Sequence, residues 1–504
     1  MRGHRCFRPF ASDDEPGTRN LELDTNAEPR NVEPDCLAPT IAAPRAALLG
    51  TIAAGIALGI VYAASPLTWW FAAWMAAVFA WAGRGLGPRE RRLVLGVLAA
   101  GVAIRVLAVI GLFALSDHNV IGSFFWDGDG VFLKKRAIGV LNLWTGHELA
   151  SVPFSKVFYL AYGWTSYVYV LAYLQYLMGL APYGIHLVNV AFFSTAAVML
   201  HRLVRRGFGP GPALIGLALM LGLPTLIAWS TSALKESFYL LLCAIATVAA
   251  LRAVRAETGS ARWMAIALFI VAVAVNATVR AGATLIVLGA VGFAVVATTL
   301  VRYPLLLLPT VAAIPLVILI AWRTPPMQAR IVAQLKGAAE QHIGNVRTAG
   351  HGYRLLDDKL YAIPRPIATM TPDECLRFAI RALVDFVVVP LPWQAESKSE
   401  TAFLAQQAIW YVMVLAACIG VWAGVKHDVL LTMTLVGFAA IGGGVIALNS
   451  GNIGTMVRFR DTVVPFVAWL SGLGGWTIVG WVAARASRVP LSARGFATEA
   501  PAWR

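Results

Sequence analysis

Residues 263–322 read WMAIALFIVAVAVNATVRAGATLIVLGAVGFAVVATTLVRYPLLLLPTVAAIPLVILIAW. The formal charges in this stretch are Arg280 and Arg302, and they leave three apolar runs, 263–280, 282–301 and 304–322. A helix needs about 20 predominantly apolar residues to cross the hydrocarbon of a bilayer. Each run has that length, and the junctions leave no room for a soluble linker. The stretch therefore reads as three membrane-spanning helices in tandem.

The pattern continues in both directions, at 46–64, 67–82, 93–115, 184–203, 211–229, 237–252, 402–424, 428–448 and 462–484. Composition agrees: the chain is 59% hydrophobic and 13% charged, with a mean hydropathy of +0.70. A soluble domain carries roughly 25% charged residues, and a soluble chain this apolar would expose large sticky patches. The expected fold is all-α, a polytopic transmembrane protein of about 12–13 helices. The net charge of +15 does not point to nucleic acid, because most Arg and Lys sit in short loops between apolar runs. Cys6, Cys36, Cys243, Cys375 and Cys418 are scattered, with neither zinc spacing nor a disulfide framework. Residues 1–44 are polar and Pro-containing, and are expected to form a disordered cytoplasmic tail.

Arg and Lys also set the orientation. With a cytoplasmic N-terminus, Arg84, Arg89, Arg91 and Arg92 are cytoplasmic after two crossings, and the next span delivers residues 116–160 to the outside. Arg202, Arg205 and Arg206 then belong inside, which requires an odd number of crossings, yet two apolar stretches intervene, 157–181 and 184–203. The first holds Tyr159, Tyr162, Trp164, Tyr167, Tyr169, Tyr173 and Tyr176, and Pro182 breaks its end. Tyr and Trp belong at the membrane interface, so this stretch is expected to be an interfacial or re-entrant hairpin on the outer side. Every later basic loop then falls inside: Arg252, Arg255, Arg262, Arg302, Lys426, His427, Arg485, Arg488 and Arg494. The result is twelve crossings with both termini cytoplasmic. The parts are an N-terminal transmembrane module (45–322), a large outer loop (323–401), C-terminal helices (402–484) and a cytoplasmic tail (485–504).

This topology gathers unusual polar residues on the outer face. The first outer loop carries Asp127-Gly-Asp129-Gly between aromatic residues, then Lys134, Lys135 and Arg136. The next outer turn carries Ser230 to Glu236, including Lys235; Arg280 lies at a tight junction; and the last turn, Asn449 to Asp461, holds Arg458 and Arg460. Charged groups near hydrocarbon are expensive and mark functional sites by default. Carboxylates can take a proton from a hydroxyl, and Arg or Lys can neutralise a phosphate. Each feature also has a structural reading. The Asp-Gly pairs suit a solvated turn. Lys134 to Arg136 suit lipid headgroups. Lys235-Glu236 suits a local ion pair at a helix start capped by Ser230 or Ser232. Arg280 suits snorkelling, and Arg458 and Arg460 suit anchoring, with Asp461 capping the last helix. The large outer loop begins with a polar helical stretch, 327–346, and its segment 374–392 is expected to lie on the membrane surface. His147, His342 and His351 lack ligand spacing.

These elements resemble the GT-C superfamily of multi-spanning glycosyltransferases that use polyprenyl-phosphate sugars, such as protein mannosyltransferases and lipid A aminoarabinose transferases. The resemblance rests on Asp127-Gly-Asp129-Gly, the basic turn Arg202 to Gly209, Leu223-Pro224 to Ser230, Ser230 to Glu236, Pro390 to Gln394, and Gly454 to Arg460. It covers most of residues 90–484. The Asp-Glu pair of the protein mannosyltransferases and a large C-terminal soluble domain are absent, so donor and acceptor are not inherited. The resemblance implies an inverting transfer of a sugar from a polyprenyl phosphate or diphosphate on the outer face of a bacterial inner membrane. The acceptor would be a cell-envelope glycan, lipid or protein. It implies that Asp127 or Asp129 acts as base or holds a divalent metal, an oxygen-rich pair suiting magnesium or manganese rather than zinc. Lys235, Glu236, Arg280, Arg458 and Arg460 would bind substrate, the cations taking the lipid phosphate. The rivals are a surface-polysaccharide polymerase or ligase, relying on the arginines alone, and a lipid or polysaccharide flippase. A flippase would show broken helices and polar residues at mid-membrane; here Asn189 and Asn276 stand out among Ala, Val, Leu and Ile.

Overall fold

The computed structural model describes residues 49–53, 66–116, 129–147, 165–179, 183–348, 353–362, 366–394 and 398–486. Residues 61–504 form one compact unit, helical throughout and without a strand among the described residues. Its helices are α1 (Pro66–Ala82), α2 (Pro88–Ala114), α3 (Asp129–Trp144), α4 (Tyr167–Met178), α5 (Gly184–Phe208), α6 (Pro210–Gly222), α7 (Pro224–Ser230), α8 (Glu236–Arg255) and α9 (Gly259–Val279). They continue with α10 (Ala283–Arg302), α11 (Pro304–Arg323), α12 (Pro325–Thr348), α13 (Pro372–Val388), α14 (Lys398–His427), α15 (Val429–Asn449), α16 (Ile453–Arg460) and α17 (Val464–Ala486).

Among the described residues, nine helices are long and apolar enough to cross a bilayer, and the bent pair α6–α7 makes ten. With the 17-residue α1, these are the expected spans from 67–82 onward; the first, 46–64, lies largely outside the described residues. The protein is a multi-pass membrane protein. α11 carries the point furthest: none of its membrane window is buried, and Leu305 is 90% and Leu308 79% exposed. A helix apolar on every side and uncovered by protein is stable only in lipid.

Without a hydrophobic force between helices, spans associate through close packing of small residues. α14 and α17 cross at Gly420 and Gly474, where a Cβ on Gly420 would fall on the Leu470 carbonyl oxygen and a Cβ on Gly474 on that of Ala416. α15 meets α10 at Gly437, whose added Cβ would lie 2.6 Å from the Ala290 oxygen.

The bundle has two distinct ends. At one, Arg205 binds Glu90 (2.8 Å), Arg202 donates to the carbonyls of Trp81 and Arg84, and Arg255 binds Asp428 (2.6 Å). The basic turns thus tie neighbouring helices together as well as marking a side. At the other end lie residues 231–235, Arg280, residues 450–463 and the described parts of the long segment 323–401.

Two expectations about that end are refined. The stretch 157–181 contributes the 12-residue α4, which by itself is shorter than the roughly 20 residues of a crossing; its residues 157–164 and 180–181 lie outside the described set. Thr165 Oγ1 donates to the Val279 carbonyl (2.7 Å), which docks α4 beside the end of α9. The turn 449–461 is not irregular: it holds α16, capped by Asn452, whose Oδ1 accepts from the Thr455 N–H (3.2 Å).

The long segment is a clamp on that turn. α12 covers the expected 327–346, and α13 starts in a capping box, Thr371 with Glu374. α13 buries Phe378, Ala382 and Phe386 and exposes Leu376, Ile380, Leu383 and Val384, an apolar outer stripe that suits the membrane surface. From α12, Asn345 donates to the Asn449 carbonyl (2.6 Å) and His342 Nδ1–H to that of Ser450 (2.7 Å). Tyr353 adds its hydroxyl to the same Ser450 oxygen (3.0 Å). Gly451 fits here because it has no Cβ to meet the His342 carbonyl.

Burial lowers the His342 pKa, the bond to Ser450 opposing it. Nε2 must accept from the Tyr361 hydroxyl (3.1 Å), because the Tyr361 oxygen already accepts from the Leu355 and Leu356 N–H groups. A protonated ring would set N–H against O–H. A base whose folded pKa lies below its unfolded value adds stability present above the unfolded value, near 6.5, and lost as pH falls through the folded one. Acidification is therefore expected to release the clamp, at about 1 kcal/mol per bond lost. The protection of residues 335–348 and 353–362 against hydrogen exchange, corrected for the pH dependence of the intrinsic rate, should fall between pH 7.5 and pH 5 in the wild type and not in His342→Gln; equal profiles in the two proteins would rule the latch out.

Candidate functional site

The expected span 211–229 is not continuous. It bends by 61° between α6 and α7, because a residue before proline is pushed out of the helical region. Leu223 is accordingly extended (φ −64°, ψ 127°) ahead of Pro224. α7 ends after seven residues, where three hydroxyls compete for its backbone. Ser230 and Thr231 donate to the Ile227 carbonyl (3.1 and 2.9 Å) and Ser232 to that of Trp229 (2.8 Å). Residues 231–235 are therefore unwound within the fold. α5 secures their carbonyls: Asn189 Nδ2 donates to Ser232 and Leu234 (2.6 and 2.7 Å), and His186 Nδ1–H to Thr231 (2.7 Å).

Arg105 of α2 staples the bend. Its Nη1 donates to the Leu221 carbonyl on α6 (2.7 Å), its Nε to Ser230 Oγ on α7 (2.7 Å), and its guanidinium lies 4.5 Å from the Phe193 ring. It is fully buried, nine residues from the end of α2, about 14 Å of helix at 1.5 Å per residue. Its Nη2 has no hydrogen-bond partner.

At the unwound segment, Glu236 opens α8 and Arg458 of α16 binds it, Nη2 and Nε lying 2.9 and 3.0 Å from Oε1. Two guanidinium groups lie near the Phe459 ring, Arg280 at 4.5 Å and Arg458 at 5.8 Å. The Trp229 ring lies 5.7 Å from the Arg458 guanidinium. Asp461 Oδ1 accepts from Thr225 Oγ1 (2.9 Å); burial pushes the Asp461 carboxyl up to about 7, Thr225 and Arg460 opposing. Two small hollows share Asp461 as a wall. The larger is lined by Phe193, Trp229, Ser230, Glu236, Ser237 and Asp461 among others. Glu236 Oε2, Ser237 Oγ, Asp461 Oδ2 and the Trp229 Nε1–H are buried without hydrogen-bond partners, and all four residues line it.

The fold thus brings together Glu236, Arg280 and Arg458, with Lys235 adjoining Glu236 in sequence. Arg460 is separate. It donates to Gln407 Oε1 and the Val389 carbonyl (both 2.6 Å) and lies 5.4 and 5.2 Å from the Phe386 and Trp410 rings. It ties α16 to α13 and α14 and lines the smaller of the two hollows. Four structural readings are corrected. Ser230 and Ser232 close α7 and do not cap α8; Glu236 takes Arg458, 222 residues away, as its partner; and the Asp461 carboxylate receives Thr225. Lys134 and Arg136 do not reach lipid headgroups. They are 4% and 6% exposed, and Lys134 Nζ lies 3.5 Å from His186 Nε2, which links α3 to the unwound segment through His186. Asp127 lies outside the described residues, as does the side chain of Asp129, the first residue of α3. Among the described residues no group of three or more His, Cys, Asp or Glu is placed to hold a metal ion.

Sequence reasoning missed Arg105, Thr225 and the burial of Asp461. Arg105 had a signal, a lone cation inside an apolar run. Asn189 and Asn276 do make the interhelical bonds expected of them, the latter to Cys243 Sγ (3.3 Å).

Fold and site together define a polytopic α-helical membrane protein with a buried, charged centre beside a broken span. A scan against protein-family models returned no match, and a search of the curated proteins returned no relative.

Proposed function

We propose that this chain is a GT-C-like membrane glycosyltransferase of a bacterial inner membrane, moving a sugar from a polyprenyl-phosphate donor to a cell-envelope acceptor. The observation that carries the reading is the pairing of Arg280 and Arg458 near Phe459. Arg280 Nη1 is buried without a hydrogen-bond partner, a donor free for a phosphate oxygen, and the two forks suit an oxyanion that gains charge as the sugar leaves. The basic turns gather at the opposite end, which by the positive-inside rule supports a site that faces outward and termini that are cytoplasmic. In this reading Asp127 or Asp129 takes the acceptor's hydroxyl proton.

Transfer from a pool of polyprenyl-phosphate sugars, measured in membranes carrying the wild type, Asp127→Asn and Asp129→Asn, tests it. One Asp variant should lose at least about 100-fold. Full activity in both would move the reading to a polymerase or ligase. Arg105→Met adds a second check. Loss of three charge-assisted bonds costs about 1.5–3 kcal/mol each, while removing a buried cation recovers several kcal/mol, so the melting temperature should change little. Transfer per folded molecule should fall about tenfold or more, since the bend that carries Trp229 and Ser230 relaxes. A large drop in stability with normal specific activity would make Arg105 a brace alone.

The broken span and the buried Asp461 favour one second reading, a flippase for a lipid-linked anion. Movement of a fluorescent polyprenyl phosphate across proteoliposomes, with no transfer by the wild type, would select it.

A further inference from the structure

α14 and α17 run in the same direction. Ser471 Oγ donates to the Met413 carbonyl (2.7 Å), and further along both helices the Trp422 and Trp481 rings meet edge to face, 5.9 Å apart. Between these contacts the crossing at Gly420 and Gly474 holds the pair backbone to backbone. Each helix then carries the same pattern near its end, a tryptophan followed four residues on by a cation: Trp422 with Lys426, and Trp481 with Arg485. Residues four apart share a helix face, so the two touching rings place two cations on one patch of surface.

That patch faces lipid. Trp422 is 54% exposed, and Lys426, Trp481 and Arg485 are exposed as well. An apolar stripe on α14, Val412, Leu415 and Cys418, leads up to Trp422. α14 finishes at the basic end of the bundle, where Asp428 is taken by Arg255 (2.6 Å). A lysine at the end of a span ordinarily extends its ammonium out to water. Lys426 does not: its Nζ lies 3.5 Å from the centre of the Trp422 ring, one turn back toward the hydrocarbon. Among the described residues no carboxylate pairs with Lys426 or Arg485. A cation held at the edge of the hydrocarbon calls for an anion beside it, and in a bilayer the phosphate of an anionic headgroup supplies one.

We propose that the paired ends of α14 and α17 bind one anionic phospholipid. Its phosphate is taken by Lys426 and Arg485, the two indole rings seat its glycerol region at the interface, and an acyl chain follows the stripe toward Val412. Charge selects the occupant, because the choline of a zwitterionic headgroup would set a third cation beside the other two. The site lies at the end of the bundle opposite Arg458 and stands whether or not that arginine binds phosphate; the proposed orientation puts it in the cytoplasmic leaflet.

The full-length protein in a neutral detergent is titrated with dioleoyl phosphatidylglycerol and, separately, with dioleoyl phosphatidylcholine, and the bound lipid is counted by native mass spectrometry. Attraction near the surface is worth about fivefold per cation, so the wild type should hold one phosphatidylglycerol about 25-fold more tightly than phosphatidylcholine. Lys426→Gln and Arg485→Gln should each lose about fivefold, and the double variant should show no preference. These positions are exposed, so every variant should melt like the wild type. Trp422→Leu separates a built site from a diffuse positive field: it leaves the net charge unchanged, yet affinity should fall about fivefold because Lys426 loses the ring that holds it. Arg302→Gln removes another exposed cation from the same end of the bundle and should change nothing. Equal binding of the two lipids by the wild type, wild-type affinity in Trp422→Leu, or an equal loss in Arg302→Gln would reduce the patch to an ordinary interfacial anchor and overturn the proposal.

Discussion

Gly474→Val is expected to leave no monodisperse protein after extraction from the membrane. At the crossing of α14 and α17 a Cβ on Gly474 would land on the Ala416 carbonyl oxygen, and the nearest atoms beyond it are also backbone, at 2.7 and 2.9 Å. No rotamer change can relieve such an overlap; the helices must separate. Overpacking a core where side chains can yield costs about 1–3 kcal/mol, and total stabilities run about 5–15 kcal/mol. A backbone clash along a long helix pair should exceed the first range and consume much of the second. Gly474→Ala should be intermediate, and Gly420→Ala, which meets the Leu470 oxygen from the other side, should match it. Fluorescence-detected size exclusion and thermal unfolding of the three variants measure this. A Gly474→Val protein that melts within a few degrees of the wild type would mean that α14 and α17 do not cross here.

How much of this was legible beforehand varies by element. The spans were, because about 20 apolar residues between basic turns have one physical meaning. The bend in 211–229 was written in Leu223-Pro224, but an average over a hydropathy window runs straight across it. Arg458 and Arg460 looked equivalent as long as 449–461 was a loop. On a helix, residues two apart lie on different faces, so once α16 forms one arginine meets Glu236 and the other is turned to Gln407. The Thr225–Asp461 bond joins residues 236 apart, and no local pattern carries such a contact. Nor could sequence say that Lys134 is buried rather than bathed by headgroups, since that depends on how α3 lies against α5.

Arg458→Ala should abolish transfer, and the way it does so separates two roles for this residue. Its guanidinium is the hydrogen-bonding partner of a carboxylate that is 7% exposed. Removing one member of such a pair costs about 3–5 kcal/mol, because the other charge stays buried. Loss of a donor to developing phosphate charge costs a further 100- to 1,000-fold in rate, roughly 2.7–4 kcal/mol. The single variant would therefore be both less stable and inactive. The neutral pair Glu236→Gln with Arg458→Gln removes the stranded charge, keeps similar volumes and leaves a side-chain hydrogen bond in place. Its melting temperature should return most of the way to the wild-type value while transfer stays at least about 100-fold down. Arg458→Lys should keep the ion pair but lose the two-pronged geometry, and should fall between them. If the neutral pair instead recovers transfer together with stability, Arg458 serves only to compensate Glu236, and the phosphate must be bound by Arg280 or by the basic residues around the first outer loop.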